Sequence, residues 1–157
     1  MVDTGEKRKI YELLLLQQKG LLEAETHWLA TLANSSALLN ETLYHTVFAG
    51  YYLYEKGELI LGPFQGHVSC TRIQIGKGVC GEAAQKRKTL IVDNVKEHQN
   101  YISCDSAAMS EIVVPMCRDG KLFGVLDIDS GRKANYDMTD QEYLEKYIEL
   151  IADVFSN

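Results

Sequence analysis

Four cysteines and two prolines are all that this 157-residue sequence contains of either type. The longest apolar stretch near its N-terminus is only Leu13 to Leu16. Each scarcity excludes something. With two prolines and no repeat, low-complexity tract or linker, residues 1–157 are expected to form a single domain. A four-residue apolar run cannot span a bilayer. Asp3 and Glu6 stand where a secretory leader would need basic residues, so no signal peptide is expected. Positive charge is in deficit, with 16 Lys and Arg against 22 Asp and Glu, a net charge of −6 and a pI of about 5.2. A nucleic-acid partner normally requires a basic face to displace counterions from phosphate, so that class is not expected.

What is present suits a soluble globular protein: 46% apolar and 24% charged residues, enough to bury a core without staples. The expected compartment is a reducing cytoplasm. There the four cysteines should be free, catalytic or metal-bound rather than structural disulfides.

The first forty residues read as helix, with Ile10, Leu13 and Leu14 on one face and Leu29, Leu32, Ala33 and Ser36 on another. Gly20 is expected to separate or bend the two segments. Strand patterns follow: Val47 to Tyr54, a turn at Glu55-Lys56-Gly57-Glu58, Leu59 to Phe64, and Cys70 to Ile75. Gly76-Lys77-Gly78 breaks the pattern before a short helix from Val79 to Lys86, and Leu90 to Val92 is a brief strand. Ile112 to Met116 and Leu122 to Ile128 read as a hairpin joined through Asp119-Gly120. A terminal helix shows a Thr139/Glu142 capping-box pattern and an apolar stripe of Tyr143, Tyr147, Leu150, Ile151 and Val154. That stripe could also supply a homodimer interface. The sum is α+β: a mostly antiparallel sheet of about six strands with N- and C-terminal helices packed on one face.

Three cysteines lie in polar segments rather than apolar runs. Cys70 follows His67-Val68-Ser69, Cys80 opens a predicted helix in Gly78-Val79-Cys80-Gly81-Glu82, and Cys104 sits in a long predicted loop. The helix N-terminus is expected to favour thiolate at Cys80. Cys117 closes a strand. Taken alone, a cytosolic cysteine is more often a small buried hydrophobe than a nucleophile. Gaps of ten residues from Cys70 to Cys80 and twenty-four to Cys104, without a CxxC or HxxxH pair, argue against zinc, and no metal site is expected. Among the acids, Asp127 and Asp129 alternate onto one face at the end of an apolar strand, and Glu111 opens its neighbour. Three carboxylates gathered beside apolar surface repel one another and lose hydration, a cost that a ligand ammonium would relieve. Solvated strand-end acids are the alternative, and the pattern leaves both open.

At these residues the sequence resembles the free methionine-(R)-sulfoxide reductases, a GAF-domain family, over nearly its whole length. The likeness rests on Leu61-Gly62-Pro63-Phe64-Gln65-Gly66 before Cys70, Gly76-Lys77-Gly78-Val79-Cys80-Gly81, Cys104-Asp105 followed by Ser110-Glu111-Ile112-Val113-Val114-Pro115, and Gly124-Val125-Leu126-Asp127-Ile128-Asp129-Ser130. The resemblance implies that Cys104 is the nucleophile and that Cys70 and Cys80 are recycling cysteines. It implies that Glu111, Asp127 and Asp129 hold the substrate ammonium and assist the sulfoxide oxygen, with Tyr52 on the pocket wall. Two departures stand out. Phe48 occupies a position where the family commonly carries Trp, which bears on the grip on the substrate methyl group, and Cys117 matches no family role, so it reads as a structural free thiol.

The implied reaction is reduction of free L-methionine-(R)-sulfoxide. Cys104 becomes sulfenic acid, Cys70 or Cys80 condenses with it to a disulfide, and thioredoxin or a similar dithiol restores the enzyme with electrons drawn indirectly from NADPH. No bound cofactor is implied. Two other readings compete: a non-catalytic GAF module that senses a small ligand, with Tyr51 and Tyr52 lining its pocket, and a peroxide-responsive thiol switch. Sensory GAF domains usually accompany an output domain, for which this chain has no room.

Overall fold

The computed structural model describes residues 3–155. Two helices open the chain: α1 (Thr4–Ala24) and α2 (Trp28–Thr42). The Asp3 carboxylate caps α1 by accepting the Glu6 N–H at 3.0 Å. Gly20 neither ends nor separates the helices, because α1 runs through it to Ala24 and the chain turns only at Glu25 to His27. A glycine costs a helix only about 1 kcal/mol. Tyr11, Leu14 and Gln18 bury the opposite face of α1, which is enough to carry the helix past it.

Six strands follow, interrupted by one short helix: β1 (Thr46–Glu55), β2 (Glu58–Gly66), β3 (Arg72–Gln74), α3 (Gly78–Lys86), β4 (Leu90–Val92), β5 (Ser110–Arg118) and β6 (Lys121–Ser130). They form one antiparallel sheet in the order β3-β2-β1-β6-β5-β4. The two predicted tight turns are present. Lys56 and Gly57 have φ of 50° and 85°, and Asp119 and Gly120 have 52° and 76°, the doubly left-handed pattern of a two-residue hairpin. The third predicted strand is shorter than its alternation suggested, since only Arg72 to Gln74 pairs with β2. The final helix, α4 (Met138–Ile151), is capped two residues before its predicted signature. Its capping box is Asp137 with Asp140, while Thr139 lies inside the helix, because the aspartate carboxylate reaches the orphan N–H groups of Thr139 and Asp140.

Strand alternation divides the interior into two cores. Ala49 and Tyr51 of β1, Ile112 and Val114 of β5, and Leu126 and Ile128 of β6 pack against α1, α2 and α4. Phe48, Tyr52, Val113 and Val125 face the other way, against α3. The N- and C-terminal helices therefore share one face, as the hydrophobic pattern predicted. On the α3 face, close approach is enforced at Gly81, where a Cβ would lie 2.4 Å from the Gln74 carbonyl oxygen. Gly81→Ala is expected to destabilise the fold by about 1–3 kcal/mol through overpacking, read as a lower midpoint in chemical denaturation.

Candidate active site

The chemistry-bearing residues converge on the α3 face. Glu111 of β5 pairs directly with Asp129 of β6, and Val113 with Asp127, so all three acids emerge at one end of the β5–β6 ribbon. Across from them, α3 delivers Cys80, whose thiol donates to Glu111 Oε2 at 3.8 Å. Tyr52, Cys104, Asp105, Tyr101, Ile102 and the three acids line one cavity, of about 30 Å³, enough for one or two waters.

Cys104 enters this cavity from the 98–109 segment and is disulfide-bonded to Cys70. The structure thus pairs Cys104 with Cys70, leaving Cys80 and Cys117 as free thiols. Neighbouring contacts hold the two segments in register. His67 Nδ1 lies 2.8 Å from Asp105 Oδ2. The Tyr52 hydroxyl donates to the Cys70 carbonyl at 2.9 Å and shares a 2.9 Å hydrogen bond with Ser69 Oγ. Asn100 anchors the Cys104 segment to α3: its amide donates to the Gly76 carbonyl at 2.9 Å and its oxygen accepts from the Gly78 N–H at 3.3 Å.

Electrostatics here are dominated by dehydration. Glu111 is buried and Asp127 only 4% exposed, and Asp127 Oδ1 and Asp129 Oδ1 have no hydrogen-bond partner among the described residues. Burial first, and then the charges of Asp127 and Asp129, push the Glu111 carboxyl well above its ordinary range. Burial and Asp127 raise Asp129 in the same sense, and burial raises Asp127. Tyr101, half-buried nearby, is pushed up to about 12 by burial and by Glu111.

Cys80 corrects one expectation. It does start a helix, but burial, Asp127 and Glu111 push its thiol well up, so it stays a neutral S–H rather than a thiolate. Desolvation and two adjacent acids outweigh the half-charge of a nine-residue helix. Cys80, Glu111 and Asp127 also place ligand atoms within 4.8 Å of one another, a set that could hold a soft divalent ion only after losing the protons that burial stabilises.

Phe48 is fully buried, stacked on Phe64 at 5.2 Å and on Tyr52 at 6.2 Å, and so stands behind the cavity wall. Tyr51 points into the helical core, where its hydroxyl meets Ser35 Oγ at 2.5 Å. Cys117 is a free thiol, exposed at the end of β5 and away from the acids. Sequence reasoning missed Asn100, Tyr101 and His67, which sit in aperiodic segments; only their closeness to Cys70 and Cys104 could have drawn notice. A second cavity, of about 50 Å³, lies beside α1 and is lined by Lys7, Tyr11, Tyr136 and Asp140. It holds no cysteine, and its acid is already met by Lys7 at 2.5 Å and the Tyr11 hydroxyl at 2.7 Å.

Comparison with known proteins agrees with this geometry. The GAF domain family matches residues 37–156. The chain is 43% identical to the free methionine-R-sulfoxide reductase of Saccharomyces cerevisiae, covering 92% of this chain and 85% of that protein. It is 39% identical to the enzyme of the same name from Escherichia coli, covering 96% and 91%. The structure of the Neisseria meningitidis free methionine-R-sulfoxide reductase in complex with its substrate superimposes with a TM-score of 0.90 at 40% identity, covering 99% of this chain and 92% of that one. With a cysteine pair and three carboxyls gathered at one cavity, and relatives this similar along nearly their full length, the chain belongs to the free methionine-R-sulfoxide reductase family of GAF-domain proteins.

Proposed function

We propose that this protein reduces free L-methionine-(R)-sulfoxide to methionine. One observation carries the reading: Cys104, bonded to a partner thiol, lines the same cavity as the buried Glu111 and Asp127 and the half-buried Asp129, and both aspartates present an unpartnered oxygen. A thiol couple supplies the two electrons that a sulfoxide needs. The acid trio supplies both a proton and a seat for an ammonium.

In the reduced protein, the Cys104 thiolate attacks the substrate sulfur. A carboxyl of the trio donates a proton to the departing oxygen, for which a raised pKa is the requirement, and Glu111 is the group that burial and both aspartates raise together. Methionine leaves as the thioether and the oxygen remains on Cys104 as sulfenic acid. Cys70 then attacks the Cys104 sulfur, water departs, and the observed disulfide forms. Cys80, neutral and buried, lines the pocket and has a weaker claim to the recycling step. Asp127 and Asp129 take the substrate ammonium, and Tyr52, backed by Phe48, forms the wall beside its methyl group. The disulfide is what these steps leave behind, so the disulfide state is the spent enzyme.

On this reading no bound cofactor is needed. A dithiol such as thioredoxin returns the electrons, drawn indirectly from NADPH, which fits a cytoplasmic setting. Among the described residues, no helix is long and apolar enough to cross a membrane. The apolar stripe expected to serve a homodimer is taken up by the core, with Tyr143, Tyr147, Ile151 and Val154 buried, so the apolar surface left for one is Leu13 and Leu16 of α1.

The test follows NADPH consumption through thioredoxin and its reductase with the free R sulfoxide, its S epimer and an N-acetylated R form. Turnover of the free R form alone is expected. Equal use of the N-acetylated form would remove the acids from ammonium binding. No turnover of any form, with a small dithiol also failing, would make this a ligand-binding GAF module.

A further inference from the structure

The spent enzyme described above must be reopened once per turnover, and the surface around its disulfide has a distinct composition. Cys70 and Cys104 are each only partly buried. Two residues before each stands an exposed apolar side chain: Val68, 88% exposed, and Ile102, 41% exposed. The disulfide draws their two segments to a Cα–Cα distance of 5.2 Å at the cysteines, and His67 with Asp105 closes the same rim at 2.8 Å. A valine left that exposed gains nothing for the fold, since almost none of its area is removed from water. Beside a bond that must be attacked by an external thiol, it has a use.

We propose that Val68 and Ile102 form the docking surface for a dithiol redox protein and that its attacking thiolate is received by Cys70. This rests on the reductase reading. The occupant is set by chemistry: breaking an internal disulfide needs two electrons and two protons, which a protein dithiol delivers as a pair. A small dithiol needs only access, whereas a protein must exclude water around the exchanging sulfurs, for which apolar contacts flanking the disulfide are suited.

The sulfur is set by position. Cys104 lines the substrate cavity and Cys70 does not, lying instead two residues beyond Val68. Attack on Cys70 Sγ forms a mixed disulfide with the partner and expels Cys104 as a thiolate inside the cavity. The partner's second thiol then attacks its own mixed-disulfide sulfur, releasing Cys70 and leaving the partner oxidised. The enzyme gains the two electrons that the partner loses, and the nucleophile reappears where the next substrate binds.

Val68→Asp tests the surface. With thioredoxin as electron donor, its KM for thioredoxin is expected to rise about tenfold, the effect of losing one well-placed apolar contact. Turnover supported by dithiothreitol and the KM for methionine sulfoxide should stay at wild-type values, and Val68→Leu should restore use of thioredoxin. A thioredoxin KM within about twofold of wild type in Val68→Asp would overturn the docking surface. An equal loss with dithiothreitol would do the same, since it would mean damage to the site. Failure of the wild-type protein to turn over with dithiothreitol would instead overturn the reductase reading, and this surface with it. The sulfur is tested separately by a thioredoxin variant that keeps only its attacking cysteine. Peptide mapping is expected to find it bonded to Cys70, and capture on Cys104 would overturn that assignment.

Discussion

Replacing Cys104 by serine is expected to abolish turnover, lowering kcat/KM by at least about four orders of magnitude. The reason is elementary: sulfenic acid formation needs an atom that can accept the sulfoxide oxygen and then surrender it to a second thiol. A serine hydroxyl can do neither. The acids are untouched by this change, so Cys104→Ser should still bind substrate, and its melting temperature should rise with added methionine sulfoxide as for any ligand that binds only the folded state. Cys70→Ser separates the two halves of the reaction. It retains the nucleophile and should release one equivalent of methionine per protein, then slow sharply with thioredoxin as donor. Quenched-flow measurement of methionine reads both variants. Wild-type recycling in Cys70→Ser would move the resolving role away from Cys70, with Cys80 first in line.

The second large effect is at Glu111. Glu111→Gln is expected to lower kcat/KM for the free sulfoxide by about a hundredfold or more, since it removes a proton donor and part of the ammonium seat. The same substitution is expected to stabilise the ligand-free protein. In the fold, burial and two neighbouring aspartates raise the Glu111 carboxyl well above its ordinary value of 4.5, so the folded state holds that proton more tightly than the unfolded chain does. Stability from this group is therefore fully present below about pH 4.5 and declines as pH rises from there through the raised value. A glutamine pays no such penalty. The stability gain of Glu111→Gln over wild type should accordingly be small in acid and grow toward neutral pH, as measured by urea denaturation across a pH series. A gain that stays flat with pH would remove Glu111 from the dehydrated cluster. Near-normal kcat/KM would remove it from the site.

Much of this arrangement is legible in the chain. Asp119-Gly120 sets the β5–β6 hairpin, and alternation places Asp127 and Asp129 on one face, but Glu111 joins them only through the register shift between Met116 and Cys117, without which it would pair with Ile128. Other features were hidden because tertiary contacts decide them. Gly20 looks like a break until one sees that the opposite face of its helix is buried. Asp137 outcompetes Thr139 for the cap through side-chain geometry that spacing does not encode. Cys80 reads as an activated thiol from its local helix, but burial and the acids that β5 and β6 bring to it raise its pKa instead. The roles of Asn100 and His67 depend on which loops meet, and no periodic signal reports that.

The sheet itself has a consequence for how such a protein can change over time. Tyr51 and Tyr52 are neighbours, yet one hydroxyl belongs to the helical core with Ser35 and the other to the redox segment with Ser69. Because alternate residues answer to different sides, substitutions among Ala49, Tyr51, Val114 and Leu126 can be selected for thermal tolerance without touching the reacting atoms. Mutations at Tyr52, which lines the cavity, or at Phe48 stacked behind it, can reshape that cavity while the helical side keeps the chain folded. One backbone thus carries two nearly independent sets of heritable adjustments, interleaved residue by residue.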